Sequence, residues 1–232
     1  MIDIEQLSVQ YPDGRMALEG ITCQIGADER IALLGANGAG KSSLLLCLVG
    51  LAPVTSGRVI MDGEAISPGN IKNVRQKVGL LFQNPDDQLF CARVRDDIAF
   101  GPQNMGWTAE EISVRTQAVM ALLGISHLAD YPPHRLSGGE KQKVALAGVL
   151  VMEPRIILFD EPTAFLDPRA KRELTGLFLQ LNQGYIIATH DLDFARKTCS
   201  RAILLSEGRI IRSGPIHTVL DDQDLLVSYG LS

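Results

Sequence analysis

The sequence predicts an α/β fold in which buried strands carry polar side chains at their carboxyl ends. Three short, largely apolar runs support this prediction, and each is followed directly by glycine, carboxylate or histidine residues; the runs are residues 31–34, 156–159 and 185–189. Runs without polar alternation are typical of strands that are buried on both faces of a parallel sheet. Ligands of such sheets bind at the carboxyl ends of the strands, so the functional site is expected at that edge.

Composition narrows the setting of this fold. The 232 residues are 46% hydrophobic, which is enough for a sizeable core, and the net charge of −5 gives no general attraction to nucleic acid or anionic lipid. The four cysteines form no CxxC pair, and the chain opens on an acidic stretch rather than a signal peptide, so reduced thiols and a cytoplasmic location are expected. Residues 44–54, the most apolar stretch, are too few to span a membrane. Any membrane role is therefore expected to come through a partner.

Two segments with spaced apolar residues precede the first buried run and predict an antiparallel β layer. They are residues 2–9 and 21–25, and the turn sequence YPDG lies between them. The ring of Tyr11 at this turn either stacks on an adenine base, a contact of about 1–3 kcal/mol, or packs over the hairpin. Residue type alone leaves both possibilities open.

A phosphate-binding loop follows the first buried run. Residues 35–42 read GANGAGKS and match G-x-x-x-x-G-K-S/T between a predicted strand and a predicted helix over residues 41–49. The glycines let backbone amides point at a phosphate, Lys41 supplies a charge for the outer phosphates, and Ser42 supplies a hydroxyl ligand for Mg²⁺. A glycine-rich turn that matches by chance is the alternative, but it does not account for the strand, the spacing and the helix together. The sequence therefore predicts a nucleoside triphosphate site.

Two further strands are predicted after this helix. Residues 57–63 read as a strand that ends in an Asp-Gly turn, and residues 78–82 read as a buried strand that ends at Gln83. The Gln83 amide can bind a water or Mg²⁺ at the carboxyl edge of the sheet, although many strands end in glutamine without a catalytic role.

The pattern from residue 84 to about residue 152 is helical. Residues 108–111 form a capping box for a helix that runs to Leu123 and ends before Gly124. One stripe of apolar residues on this helix is expected to face the core; its members are Ile112, Val119, Leu122 and Leu123.

The sequence LSGGE at residues 136–140 precedes a helix predicted over residues 141–152. Ser137 and Glu140 on their own fit a helix capping box. A cap does not require the two consecutive glycines Gly138 and Gly139, which carry an entropic cost. The motif therefore also suits close approach of the backbone to an anion.

Carboxylates follow the second buried run, where residues 156–161 read IILFDE. Asp160 is expected to hold Mg²⁺ through water, and Glu161 to act as the general base that orients the attacking water, a role worth roughly 10² to 10⁴ in rate. Capping of the next helix by these acids is the alternative, which Pro162 weakens.

The last part of the chain contributes one more candidate. Asp167 and Pro168 are predicted to begin a helix that runs to about Leu181, and capping alone explains that aspartate. His190 follows the buried run 185–189 and either is structural or hydrogen-bonds the terminal phosphate. A hairpin that turns at Gly208 and a short helix are expected to close the fold.

These motifs occur in the order and spacing of an ATP-binding-cassette (ABC) ATPase, which the chain resembles over essentially its whole length. The resemblance implies an ABC-type P-loop ATPase fold with a RecA-like α/β core, an antiparallel β subdomain and a helical subdomain at about residues 87–152. All three belong to a single nucleotide-binding domain of residues 1–232. ATP and Mg²⁺ are the implied cofactors.

The resemblance also implies a role for each motif. Residues 35–42 become the Walker A motif, residues 136–140 the signature, residues 156–161 the Walker B motif, and residues 166–167 the D-loop. The implied catalytic residues are Lys41, Gln83, Glu161 and His190. The implied nucleotide contacts are Tyr11, Gly35, Asn37, Gly38, Gly40, Lys41, Ser42, Ser43, Ser137, Gly138 and Gly139. The implied Mg²⁺ ligands are Ser42, Gln83 and Asp160. Glu140 stands where the family more often has glutamine.

A narrower resemblance rests on QNPDDQLF at residues 83–90 and DIAFGP at residues 97–102. Both are similar to the ATP-binding subunits of energy-coupling-factor and cobalt or nickel importers. This resemblance implies a homodimer, or a heterodimer with a second ABC ATPase, on the cytoplasmic face of the membrane. It also implies a transmembrane coupling subunit, a substrate-binding membrane subunit, and import of cobalt, nickel or a vitamin such as biotin. The sequence ends at Ser232, without the longer C-terminal extension that many of those subunits carry.

Other classes fit the sequence less well. A GTPase requires an N-K-x-D motif, and the sequence has none. An ABC protein of DNA repair requires a long coiled-coil insertion between residues 41 and 137, and this interval is too short to contain one. An ABC translation factor requires a second cassette, and the sequence has a single Walker A motif. Nucleic acid is therefore not expected as a partner, and an ABC ATPase of another importer is the main alternative.

Overall fold

Two β-sheets and a set of helices make up the fold in the computed structural model, which describes residues 1–164 and 166–231. Phe165 and Ser232 lie outside the described residues. Within the described part, no helix combines the length and apolarity needed to cross a bilayer.

The first sheet is antiparallel and lies at the N-terminal end of the chain. Its order is β2-β1-β4-β5. The strands are β1 (Ile2–Gln10), β2 (Met16–Ile25), β4 (Val54–Met61) and β5 (Glu64–Ala65). β1 pairs with β2 and with β4, which confirms the predicted antiparallel layer. β4 begins three residues before the predicted strand and crosses Gly57, whose φ is +77°. A Cβ there would lie 2.2 Å from the Gln6 carbonyl oxygen, so only glycine fits this crossing.

The second sheet is six-stranded, in the order β10-β9-β3-β8-β7-β6. The strands are β3 (Arg30–Leu34), β6 (Val78–Leu81), β7 (Ile156–Asp160), β8 (Gly184–Thr189), β9 (Arg201–Ser206) and β10 (Arg209–Pro215). All neighbouring pairs are parallel except β9 and β10, which form the predicted closing hairpin. The three buried runs therefore form β3, β7 and β8. β8 lies in the middle of the three, with β3 on one side and β7 on the other. Their carboxyl ends meet at one edge of the sheet.

Helices cover both faces of this sheet and fill the middle of the chain. They are α1 (Lys41–Leu48), α2 (Ile71–Lys77), α3 (Val94–Asn104), α4 (Ala109–Leu122), α5 (Gly138–Leu150), α6 (Pro168–Gln180), α7 (Leu192–Thr198), α8 (Ile216–Leu220) and α9 (Gln223–Ser228). Single 3₁₀ turns lie at Pro85–Asp87, Ser126–Leu128 and Pro133–Arg135.

Two hydrophobic cores lie on opposite faces of the six-stranded sheet. Ala32 and Leu34 belong to the core shared with helices α3 to α9, whereas Ile31 and Leu33 belong to the core shared with the antiparallel sheet and α1. This division follows from the alternation of side chains along a strand. Residues 31–34 of β3 are fully buried, and they anchor the loop that follows.

Two sequence-based expectations require correction. Leu122 does not face the core, because its side chain is 64% exposed. The buried face of α4 is Thr116, Val119, Met120 and Leu123. This set has the i, i+3, i+4, i+7 spacing of one helix face, and Leu122 lies beside it.

The second correction concerns the start of α5. The helix begins at Gly138 rather than at residue 141, so both glycines lie in its first turn. Ser137 is the N-cap, and the Ser137–Glu140 capping box is complete. The cap outweighs the low helix propensity of the glycines.

Candidate functional site

The phosphate-binding loop connects β3 to α1 and is packed tightly against the rest of the chain. Gly40 has a φ of +104°, and a Cβ there would lie 2.5 Å from the Ala17 carbonyl oxygen of β2. A Cβ on Gly35 would lie 2.5 Å from the Leu205 carbonyl oxygen of β9. Both positions require glycine because the loop lies directly against two backbones. The loop is therefore fixed at the junction of the two sheets.

Lys41 is held inside this loop. Its ammonium donates to the carbonyl oxygen of Gly35 at 2.7 Å and lies 3.4 Å from Oε1 of Glu161. The two charged side chains are 6% and 8% exposed. Buried charges of this kind are stable only when they are paired, so Lys41 and Glu161 depend on each other.

Glu161 and His190 come together from neighbouring strands. Glu161 follows β7 with a φ of +45°, and its amide donates to the carbonyl oxygen of Ala188 in β8. Nδ1 of His190, which follows β8, lies 3.0 Å from Oε2 of Glu161. The carboxylate is thus held between an ammonium and an imidazole at the carboxyl edge of the sheet.

Asp160 and Ser42 form a second polar pair at this edge. Burial raises the pKa of the Asp160 carboxyl above its ordinary value, and a hydrogen bond with Ser42 opposes that rise. Among the described residues, Oδ1 of Asp160 is buried without a hydrogen-bond partner. An unsatisfied carboxylate oxygen beside a hydroxyl is a donor set that suits Mg²⁺, which prefers oxygen ligands and keeps several waters. The residues present therefore fit this ion.

Lys41, Ser42, Glu161 and His190 border one cavity of about 400 Å³, a size suited to a small ligand. Among the described residues that line it, the predicted Gly35 and Asp160 do not occur. Ten of the predicted site residues line it, and eight of these are Tyr11, Asn37, Gly38, Gly40, Lys41, Ser42, Ser43 and Gln83. Glu161 and His190 line it as well. Loop, strand ends and the Tyr11 turn therefore converge on one place, although they are spread over most of the chain.

Tyr11 reaches this cavity from the antiparallel sheet. Its hydroxyl lies 3.1 Å from Oγ of Ser43, at the start of α1. The guanidinium of Arg15 lies 5.2 Å from the centre of the Tyr11 ring and also borders the cavity. Sequence reasoning missed Arg15, because no motif marks an arginine four residues after an aromatic.

Ser137, Gly138 and Gly139 lie elsewhere, at the start of α5. Of these three, Gly139 lines a different groove of about 300 Å³ between α4, α5 and α6. Within the described chain, none of the three lines the cavity around Lys41. The structure thus brings together the loop and the strand-end residues, and it leaves the LSGGE motif apart from them.

The segment after Gln83 is tied to the same helix. Lys141 of α5 pairs with Asp86 at 2.6 Å. The Gln88 side chain donates to the carbonyl oxygen of Ala145, and its oxygen lies 3.5 Å from the Phe82 amide. These contacts join the end of β6 to α5 and were not evident from the sequence, since the partners are about 55 residues apart.

Comparison with known proteins gives consistent matches. A family model described as ABC transporter matches residues 18–164. The energy-coupling factor transporter ATP-binding protein of Carboxydothermus hydrogenoformans is 43% identical over 233 residues, covering 99% of this chain and 86% of that protein.

Two solved structures have the same fold. CbiO1 from Clostridium perfringens, described as part of the ABC transporter complex CbiONQ, superposes with a TM-score of 0.84 at 39% identity, covering 99% of this chain and 94% of that one. The ATP-binding cassette MJ0796, in a dimeric post-hydrolysis structure bound to ADP and Pi, gives a TM-score of 0.84 at 25% identity, covering 93% and 99%.

Proposed function

This chain belongs to the ABC transporter family and is an ATP-hydrolysing subunit of that family, and on this premise we propose that it energises an importer of the energy-coupling-factor type. The proposed cargo is a cobalt or nickel ion, or a vitamin such as biotin. Similarity to an energy-coupling factor ATP-binding protein and to CbiO1 supports the importer type. An ABC importer of another type is the alternative.

The observation that carries this proposal is the segment of residues 83–90, which leaves the nucleotide cavity at Gln83 and ends at an exposed aromatic pair. Phe90 is 65% and Phe100 44% exposed, and their rings meet edge to face with centroids 4.7 Å apart. Two exposed aromatic side chains in contact are typical of a protein interface. We therefore assign residues 84–90 and 93–100 to the contact with the transmembrane partner.

The nucleotide is proposed to bind in the cavity around Lys41. Its phosphates would accept hydrogen bonds from the loop amides between Gly35 and Gly40 and would lie at the positive end of α1. Its adenine would stack on Tyr11. The phosphates compete with Glu161 for the Lys41 ammonium. Mg²⁺ would be held by Ser42, Gln83 and Asp160 and would neutralise charge on the outer phosphates.

Hydrolysis is proposed to follow from this exchange. Once a phosphate takes the Lys41 ammonium, the Glu161 carboxylate is free to accept a proton from a water at the terminal phosphate. His190 lies on the other side of that carboxylate and would hydrogen-bond the same phosphate. The two residues are held by adjacent strands, so their spacing is fixed before the substrate arrives.

A dimer is proposed to complete the site. Ser137, Gly138 and Gly139 do not reach the cavity of their own chain, so they are assigned to the nucleotide of a second subunit. The dimeric structure of the related cassette MJ0796 supports this arrangement. The partner is either a second copy or a related ABC ATPase. Residues 87–152, which contain α3, α4 and α5, act as a helical subdomain that carries the signature.

The experiment that tests the function is reconstitution of the chain with the membrane subunits that co-purify with it. We expect ATP-dependent accumulation of labelled Co²⁺, Ni²⁺ or biotin in proteoliposomes, and no accumulation with the Lys41→Ala variant. ATP hydrolysis that is controlled by DNA or RNA rather than by a membrane subunit would contradict the proposal.

A further inference from the structure

Glu140 stands at the last position of LSGGE, in the first turn of α5. One oxygen of its carboxylate accepts two hydrogen bonds from Ser137, from the hydroxyl at 2.6 Å and from the backbone amide at 2.8 Å. In return, the Glu140 amide lies 3.4 Å from the Ser137 hydroxyl oxygen. The serine hydroxyl is therefore engaged as a donor and as an acceptor by a single residue.

The direction of the short bond is fixed by chemistry. An ionised carboxylate only accepts hydrogen bonds, so the proton on that bond belongs to the serine hydroxyl. The hydrogen bonds from the Ser137 hydroxyl and amide hold the pKa of Glu140 below its ordinary value, so the side chain is ionised at neutral pH. A phosphate oxygen likewise accepts. The single hydroxyl proton of Ser137 thus has two competing acceptors, Glu140 and the phosphate of the opposite subunit.

We propose that Glu140 is a positioning residue that restrains the nucleotide sandwich by holding the hydroxyl proton of Ser137. The inference rests on the proposed function, because it assigns Ser137 to the nucleotide of a second subunit. Formation of the sandwich requires this charge-assisted bond to break. Such bonds are roughly twice as strong as neutral ones, so a glutamine at the same position holds the proton less firmly while still capping the helix.

A second capping box in the same chain separates this role from capping. At the start of α4, the Glu111 carboxylate accepts from the Thr108 hydroxyl at 2.8 Å and from the Thr108 amide at 2.9 Å. The geometry matches that of Ser137 and Glu140, but this box is not among the residues assigned to nucleotide. Glu111→Gln therefore reports what the loss of charge does to a cap alone.

The test measures ATP-dependent dimerisation by analytical ultracentrifugation, in a Glu161→Gln background that retains ATP. We expect Glu140→Gln to tighten the dimer by roughly threefold to tenfold, the size of one net hydrogen bond. Glu111→Gln is expected to leave the dimer dissociation constant unchanged. Both variants are expected to lower the melting temperature by a similar small amount, which confirms that each cap is intact.

Removal of the Ser137 hydroxyl gives the decisive comparison. In a Ser137→Ala background no proton is left to compete for, so Glu140→Gln is expected to give no gain in dimer affinity. An equal gain with or without the hydroxyl, or no gain at all, overturns the inference while leaving the proposed dimer in place. Failure of the Glu161→Gln parent to form any ATP-dependent dimer overturns both.

Discussion

In the proposed function, the buried ion pair of Lys41 and Glu161 links substrate binding to hydrolysis. Each is nearly inaccessible to solvent, and each is the other's charged partner. A phosphate that takes the ammonium leaves the carboxylate without its cation, and His190 is then its remaining neighbour. Under the proposed function, the exchange that binds the nucleotide therefore also frees the carboxylate that is assigned to accept a proton.

Substitution of this carboxylate separates binding from hydrolysis. We expect Glu161→Gln to keep ATP affinity while phosphate release falls by roughly 10² to 10⁴, because the amide retains the size of the side chain but not its basicity. Fluorescent ATP binding and steady-state phosphate release measure the two quantities. Glu153→Gln is the control, since Glu153 has the same left-handed backbone and lies before the opposite end of β7. Turnover within a few fold of the parent would exclude the assignment.

The sequence predicted the residues of the cavity better than it predicted their surroundings. The loop residues, Glu161 and His190 are marked by spacing and by their place after buried runs. Arg15 carries no such mark, since its place over the Tyr11 ring depends on how the hairpin packs. Leu122 was wrongly assigned to the core. Apolar residues at three-residue and four-residue spacings on α4 fit more than one face of the helix, so the pattern alone does not show which face is buried.

Among the elements, the segment from β6 to α3 joins the nucleotide cavity to the proposed partner surface. Asp86 is paired with Lys141, and Gln88 bridges the end of β6 to α5. Under the proposed function, we expect a displacement of Gln83 to be passed through these contacts to α5, the helix that follows Ser137. These contacts lie between two motifs that we assign to different nucleotides.

A substitution at Asp87 tests the proposed partner surface without removing the contacts of Asp86 and Gln88. The Asp87 side chain is exposed, and its carboxylate accepts a hydrogen bond from the Asn84 side-chain amide at 3.4 Å. We expect Asp87→Lys to abolish partner binding and uptake, because it reverses charge at the interface, while the detached dimer hydrolyses ATP at a rate within a few fold of the parent. Pull-down of the membrane subunit and uptake into vesicles measure the effect. Asp224→Lys, the same reversal in α9, is the control, and retained coupling in Asp87→Lys would place the partner surface elsewhere.

Most strands and helices were predictable, and the exceptions have physical reasons. β3, β7 and β8 are built on short, largely apolar runs, a pattern typical of strands that are buried on both faces of a parallel sheet. The start of α5 was placed three residues late because glycine has low helix propensity, whereas the capping box decides where the helix begins. α2 has seven residues and one buried side chain, too short a pattern to be recognised from periodicity.

On the scale of the whole molecule, the proposed head-to-tail dimer predicts complementation between two inactive chains. Lys41→Ala removes one half of each shared site and Ser137→Ala the other, so either variant alone has no complete site. A mixture forms dimers in which one site has both residues, and we expect roughly one quarter of the parent rate at saturating protein. Phosphate release before and after mixing measures this. No recovery on mixing would indicate that each chain contains its own complete site.

The pH dependence of stability depends partly on Asp62, which joins the antiparallel sheet to the six-stranded sheet. Its carboxylate pairs with Lys77, with Arg155 and with the amine of Met1. The hydrogen bond from Lys77, followed by that from the Met1 amine, lowers the pKa of Asp62 to about 2.

A carboxylate whose pKa is lowered by folding stabilises the fold at pH values above its unfolded pKa, which is about 4. This stabilisation is lost as the pH falls toward 2. We expect Asp62→Asn to lower the free energy of unfolding by about 1 kcal/mol at pH 7, because exposed ion pairs contribute only roughly 0.2–1 kcal/mol each. The variant is also expected to lose less of this free energy between pH 4 and pH 2 than the parent does. Urea unfolding at several pH values measures both. An unchanged slope in this range would show that other carboxylates dominate.

The strand order of the six-stranded sheet also dictates when the site appears as the protein is made. β3 lies between β8 and β9, whose residues follow it by roughly 150 positions or more, whereas β1 and β2 pair within the first 25 residues. Long-range pairing of this kind is slow and requires most of the chain. A ribosome-bound chain is therefore expected to hold its N-terminal hairpin early and to gain affinity for ATP only after residue 206 has emerged. Nucleotide binding then marks a chain in which β3 has both of its neighbouring strands.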